Sequence, residues 1–248
     1  MIIGMLLCTG TYTMFKNVQK NDSFRYLVFV PFFLLHSVVL SQKLYIYYPV
    51  PMKPRAIQEQ FSASCPGFEI KVFGRNNDFI TIIKQDSPEA IITKTELIRY
   101  LPDYTVKLNG MRQGVTEESY VLMSVNNPLK ISALGPEKVI GVLDFLGRTK
   151  MFSFIKELTN TEPKIKRVAK VEDLLPLLSF DMAKGVILTE YNSTYIQEKS
   201  KLTFFITPIE EKKYGIISLA IKNGIDGSQI EETVKKVVPI MGIDKWQK

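Results

Sequence analysis

The sequence predicts an α/β protein of two lobes, each a mainly parallel sheet flanked by helices. Three observations carry this. From about residue 43 onward, strand-length apolar runs alternate with segments of helical spacing, the order that builds parallel sheets through right-handed crossovers. The rhythm breaks once, at residues 104–125, where two strand-like runs follow one another around Asn109-Gly110 and Gly114. A second α/β series then opens with residues 129–158, LKISALGPEKVIGVLDFLGRTKMFSFIKEL. There, an apolar strand at 139–143 follows a Gly-Pro turn, and a helix with Phe152, Ile155 and Leu158 on one side follows Asp144 and Gly147. The loop leaving the carboxyl end of such a strand is where open α/β sheets hold ligands, because the next helix aims unpaired amides at it.

Taken in order, residues 43–48 (KLYIYY) form the first strand, and a helix beginning near Pro54 buries Ile57 and Phe61 until Pro66-Gly67 ends it. Residues 68–73 are the second strand. The turn 74–78 leads to a short helix with Phe79, Ile82 and Ile83. Residues 90–92 are strand-like, and Thr93 with Glu96 forms a capping-box pattern for a helix to about Leu101. Residues 104–108 and 119–125 are the two strands of the break. In the second series, residues 165–168 make a strand and Val171, Leu174, Leu175 and Leu178 one helix face. Residues 185–189 make a strand, and a helix with Tyr195 and Ile196 follows residues 190–193. Residues 202–206 are a strand, 208–213 (PIEEKK) a polar connector, 214–221 (YGIISLAI) a strand, and Ser228 with Glu231 caps the last helix.

The chain has 248 residues, 46% apolar and 23% charged, with a formal net charge of +7. This is ordinary for a folded domain. The charges are scattered, with no basic run of five and no nucleic-acid motif, which argues against nucleic acid as a partner. Residues 26–42 carry no charge and follow Lys16, Lys20 and Arg25, so residues 1–41 read as a secretory leader with a cut after Ser41. Met14 is a more typical start than Met1, making residues 1–13 an overextension. The run is short for a membrane span of roughly 20 residues and contains Pro31; an uncleaved anchor is the alternative. Removing the leader removes the only histidine, His36, and Cys8, leaving Cys65 as a single thiol. No intramolecular disulfide, Ser-His-Asp triad, Cys-His pair or histidine-containing zinc site is then available, and no cofactor or metal is expected.

The mid-chain stretch, with Pro128-Leu129, Ser132, Leu134 and residues 139–144, resembles the passage into the second lobe of type 2 periplasmic solute-binding proteins. Lys164 to Glu190 continues the likeness. By wording the nearest subgroup is the phosphate/phosphonate-binding type, although Gly147-Arg148-Thr149-Lys150 stands where that family often has a small-residue anion loop. The resemblance implies a first lobe of residues 43–124 plus 214–248, a second of 125–213, and two hinge crossings. It also implies a monomeric, periplasmic or otherwise exported receptor, not an enzyme. Such a receptor captures a small solute, an anion among the candidates, for the membrane permease of an ABC-type transporter. A transport-independent sensor or partner-binding domain is the alternative, and a carboxylate-dependent enzyme a third.

Topology then selects the candidate site. In the first lobe it picks Pro49 and Met52 of the first loop, Arg75, Asn76 and Asn77 after the second strand, and Thr93 and Lys94 after the third. In the second it picks Asp144, Arg148, Thr149 and Lys150, and then Glu190 and Tyr191. Arg148 and Lys150 at a helix start suit a carboxylate or phosphate, against the alternative of solvated surface cations. Asp144 suits an ammonium or hydroxyl, or else caps its own turn. Asn76 and Asn77 read equally as turn and cap residues. Tyr45, Tyr47 and Tyr48 are sheet-packing aromatics first, with one near the carboxyl end of the strand able to line a cleft.

Overall fold

In the computed structural model, residues 41–237 and 241–248 are described; the leader, apart from Ser41, lies outside them. The first lobe begins as three strand-helix units. Strand β1 (Gln42–Tyr47) is followed by helix α1 (Pro54–Ser64), β2 (Phe68–Phe73) by α2 (Asn76–Asp86), and β3 (Ala90–Thr93) by the short α3 (Thr95–Ile98). Helix α1 starts at its proline and buries Ile57 and Phe61, as its spacing requires. Strand β4 (Tyr104–Met111) then runs to a tight turn closed by reciprocal main-chain bonds between Arg112 and Val115. Asn109 and Gly110, expected in a turn, lie inside β4 instead. Gly110 is paired with Trp246, and a Cβ there would stand 2.5 Å from Ile217.

The second lobe holds β5 (Glu117–Val125), β6 (Val139–Leu143), α4 (Arg148–Thr159) and β7 (Lys164–Val168). These are followed by α5 (Leu174–Ser179), β8 (Gly185–Thr189), α6 (Glu190–Lys199) and β9 (Phe204–Gly215). The chain returns to the first lobe as β10 (Ser218–Lys222), α7 (Ser228–Lys235) and β11 (Lys245–Gln247). The two sheets are ordered β11-β4-β10-β3-β1-β2 and β7-β6-β8-β5-β9. Both are mixed rather than mainly parallel. The strand-helix units pair in parallel, as β2-β1-β3 and β7-β6-β8, and the strands flanking the crossings pair antiparallel.

Several boundaries move accordingly. Residues 117–124, assigned by sequence to the first lobe, hydrogen-bond into the second sheet, because β5 pairs with β8 and β9. The supposed connector 208–213 is strand: Pro208 sits opposite Val121 in β9, an edge strand, where a missing donor is tolerated. Residues 214–221, expected as one strand, are split between β9 and β10. Neither expected capping box forms. Thr93 ends β3 with Lys94 in the cap position, and the Ser228 hydroxyl donates to Asp226 rather than capping. The cap that does form is Thr189, whose side chain accepts from the Asn192 amide at the start of α6. On α4 the buried stripe is Met151, Phe154, Ile155 and Leu158, and Phe152 faces solvent.

Three apolar clusters hold the structure. One lies on the outer face of each sheet, around Ile46, Phe61 and Leu219 in the first and Leu174, Val186 and Leu188 in the second. The third spans the lobes, bringing Tyr47 and Phe79 of the first together with Tyr120, Phe145 and Phe154 of the second. At about 1.5–3 kcal/mol for each large apolar side chain buried, this shared cluster presses the lobes together. Among the described residues no helix is long and apolar enough to cross a membrane.

Candidate functional site

The carboxyl ends of β1 and β3 in one lobe face those of β6 and β8 in the other. At the centre stands Lys94, one residue beyond β3, with its side chain 3% exposed and its ammonium paired to Glu118 of β5. Glu118 points inward because strand alternation gives it the parity of Tyr120 and Leu122. Its other oxygen accepts from Arg112 at 3.0 Å. The Arg112 guanidinium also donates to the Gly242 carbonyl at 2.6 Å and the Tyr48 hydroxyl at 3.3 Å, and lies 3.8 Å from the centre of the Tyr191 ring. Two cations thus share one buried carboxylate, which repays their desolvation only because the bonds are nearly all satisfied.

The electrostatics follow. Burial is the largest influence on the Lys94 ammonium and pushes it down, but Glu118 together with Tyr120, Tyr48 and Glu96 more than reverses it, holding Lys94 charged well above the usual lysine range. Burial, aided by Glu118 and opposed by Lys94 and Arg112, pushes the Tyr48 hydroxyl up to about 12. Glu96, beside this network, is buried with neither oxygen partnered, and burial raises its carboxyl.

Around the centre the lobes are latched. The Tyr47 hydroxyl donates to the Asp144 carbonyl at 3.0 Å. Asn76 opens α2, and in the amide orientation that satisfies both its ends it donates to the Phe145 carbonyl at 3.2 Å and accepts from the Gly147 amide at 3.3 Å. Lys150 lies 4.1 Å from the centre of the Tyr100 ring. Asp144 is occupied within its own lobe: one carboxylate oxygen accepts from the Gly147 amide at 2.8 Å and the other pairs with Arg167. A carboxylate of the protein therefore already stands at the start of α4, where an anion would sit.

The cleft is plugged in the middle and open at both ends. The central cavity, bordered by Lys94, Glu118, Tyr120, Phe145 and Asn192, has about 20 Å³, room for about one water. A groove of about 320 Å³ runs from Tyr47 and Met52 to Val171, and one of about 770 Å³ runs from Arg112 and Glu117 to Glu190 and Tyr195. Of the residues singled out by topology, Pro49 and Lys94 border the cavity, with Thr93 buried just behind. Asn76, Asp144, Lys150 and Tyr191 form or flank the contacts between lobes. Met52 borders the smaller groove and Glu190 the larger one. Arg75, Asn77, Arg148 and Thr149 are exposed and join none of these contacts.

Topology alone passed over Arg112, Glu118 and Tyr120. The legible signal was Glu118, an acid in phase with the apolar side of its strand. Arg112 carried none: the sequence leaves it in the connection between two strands, and its partners Tyr48, Glu118 and Gly242 are brought to it by the fold. Among the described residues no three His, Cys, Asp or Glu side chains are grouped so as to hold a metal ion.

No family model matches the chain, and no curated protein matches it. Its fold is nevertheless that of solved structures. The arginine-bound substrate-binding protein AbpA of an amino acid ABC transporter, from Streptococcus pneumoniae, is 12% identical, with a TM-score of 0.53 over 79% of this chain and 86% of that one. The glutamate-bound GluR0 ligand-binding core of Nostoc punctiforme is 13% identical, with a TM-score of 0.53 over 77% and 90%. A BvgS VFT2 domain of Bordetella pertussis is 12% identical, with a TM-score of 0.53 over 79% and 85%. These likenesses give the chain the two-lobed fold of type 2 periplasmic binding proteins.

Proposed function

We propose that this chain is an exported solute-binding receptor that captures a small solute between its lobes and presents it to an ABC-type transporter, without covalent chemistry. The observation that carries this reading is the polar network of Lys94, Arg112 and Glu118, buried at the facing strand ends of two lobes that two crossings join. Substrate-binding proteins of amino acid transporters among the solved structures of this fold support it, as does the leader read from residues 1–41.

The finer part of the reading is the solute. The sequence resemblance is to the phosphate/phosphonate-binding type, and Arg148, Thr149 and Lys150 at a helix start suit such an anion, although they stand where that family often has a small-residue loop. The Asp144 carboxylate at the start of α4 weighs against it, and the arginine and glutamate bound by solved structures of this fold favour an amino acid. A melting-temperature screen with phosphate, methylphosphonate and the amino acids decides between them. Silence across that set, with unchanged small-angle scattering, sinks the receptor reading. The filled central cavity favours a second reading, a sensor or partner-binding domain independent of transport.

A further inference from the structure

The group filling the middle of the cleft belongs to the protein. Lys94 comes from the first lobe, and what receives its ammonium comes from the second: the Glu118 carboxylate, and the rings of Tyr120 and Phe145, centred 5.7 and 5.8 Å from the nitrogen. An acid beside aromatic faces is the arrangement that holds an organic ammonium, and it gains strength where water is excluded. The remaining space, about 20 Å³, is too small for a solute. Two of the residues that line it, Tyr120 and Asn192, each carry a buried polar atom, the hydroxyl and the carboxamide oxygen, without a hydrogen-bond partner. Buried polar groups are rarely left so, and here they mark a site whose occupant satisfies only part of it.

We propose that Lys94 is a tethered occupant of the interlobe site: its ammonium stands where the cationic group of an external primary alkylammonium would bind, and so holds the lobes closed without a solute. The inference rests on the cleft being the binding site, and it assigns that site a cation-accepting half, made by Glu118, Tyr120 and Phe145. A solute entering the centre has to displace Lys94, and one that carries a primary ammonium replaces its contacts.

The test is chemical complementation. Lys94→Ala removes a propylammonium fragment. The variant is expected to melt about 10 °C below the wild type, as a broken buried ion pair requires, and to show a larger radius of gyration in small-angle scattering. Millimolar n-propylammonium restores both and n-propanol, its neutral counterpart, restores neither, while the wild type responds to neither. A variant as stable and compact as the wild type overturns the proposal, as does equal rescue by the alcohol or no rescue at all. If Lys94→Ala does not fold, Lys94→Met decides. An expanded Met variant supports a charged occupant, and one indistinguishable from the wild type reduces Lys94 to a filler and overturns the proposal. A wild type that binds solutes while the variants show no such response sinks this inference alone; a wild type that binds nothing sinks the receptor reading and leaves this one to the variants.

Discussion

The Tyr47 hydroxyl, at the end of the first strand, donates to the main-chain carbonyl of Asp144 in the opposite lobe at 3.0 Å. Tyr47 is buried, so the bond is shielded from water and its loss leaves a carbonyl without that donor. Tyr47→Phe is expected to lower stability by about 1–2 kcal/mol in urea unfolding. An unchanged midpoint would mean that this contact is incidental to closure.

Gly147 meets the same latch from the other side. Its φ of 80° with ψ of 170° is backbone open to glycine alone, while an added Cβ would find only Asn76 at an ordinary 3.6 Å. Gly147→Ala is therefore expected to lose about 1–3 kcal/mol through backbone strain, with no clash. Thermal unfolding of Gly147→Ala beside the wild type measures it, and equal melting temperatures refute it.

Stability should fall in alkali. Burial raises Tyr48 from 10.0 to about 12, and Glu118 together with Tyr120, Tyr48 and Glu96 outweighs burial to hold Lys94 above 10.5. A group whose folded pKa is raised contributes fully below its unfolded value and loses that contribution as pH climbs through the folded one. The unfolding free energy should thus decline from pH 10 upward. Tyr48→Phe should flatten this decline by about 2–3 kcal/mol between pH 10 and 12, with other buried tyrosines keeping part of the slope. Parallel curves for the two proteins would refute the assignment to Tyr48.

Where a residue's fate depended on neighbours a few positions away, the sequence was readable. Pro54, Ile57 and Phe61 place a helix and its buried side, and Thr189 lies at the junction the β8 apolar run predicts. Where the fate depended on a distant strand, it was not. Pro208 and the charges after it look like a connector, and only pairing with Val121 makes them strand. Lys94 was placed near the cleft by topology, yet its burial required Glu118, 24 residues away, to arrive from the other lobe.

Cys65 offers a simple check on packing. It is buried at the end of α1, and burial pushes its thiol up to about 11. In a Cys8→Ser background it should react with a thiol reagent at pH 8 far more slowly folded than in denaturant. Equal rates would place it at the surface.

Gly215 sits where the chain leaves the second sheet, and a Cβ there would run into the Thr95 side chain, whose hydroxyl lies 2.8 Å from that of Ser218. Gly215→Ala is expected to cost about 1–3 kcal/mol, part of it recovered in the double variant with Thr95→Ala. Strictly additive losses in urea unfolding would show that the two positions do not touch.

The two crossings are not separate tethers. They are the first residues of β5 and the last of β9, paired from Glu117 with Gly215 to Ser119 with Lys213, where a slip in register follows between Ser119 and Tyr120. Two hydrogen-bonded strands make a ribbon that resists twisting about its length and shearing between its edges, yet flexes across its flat face. Its softest point is that slip, where the ladder is interrupted. Tyr120 lies at this slip and Glu118 two residues before it, so flexing there acts directly on the residues that receive the Lys94 ammonium.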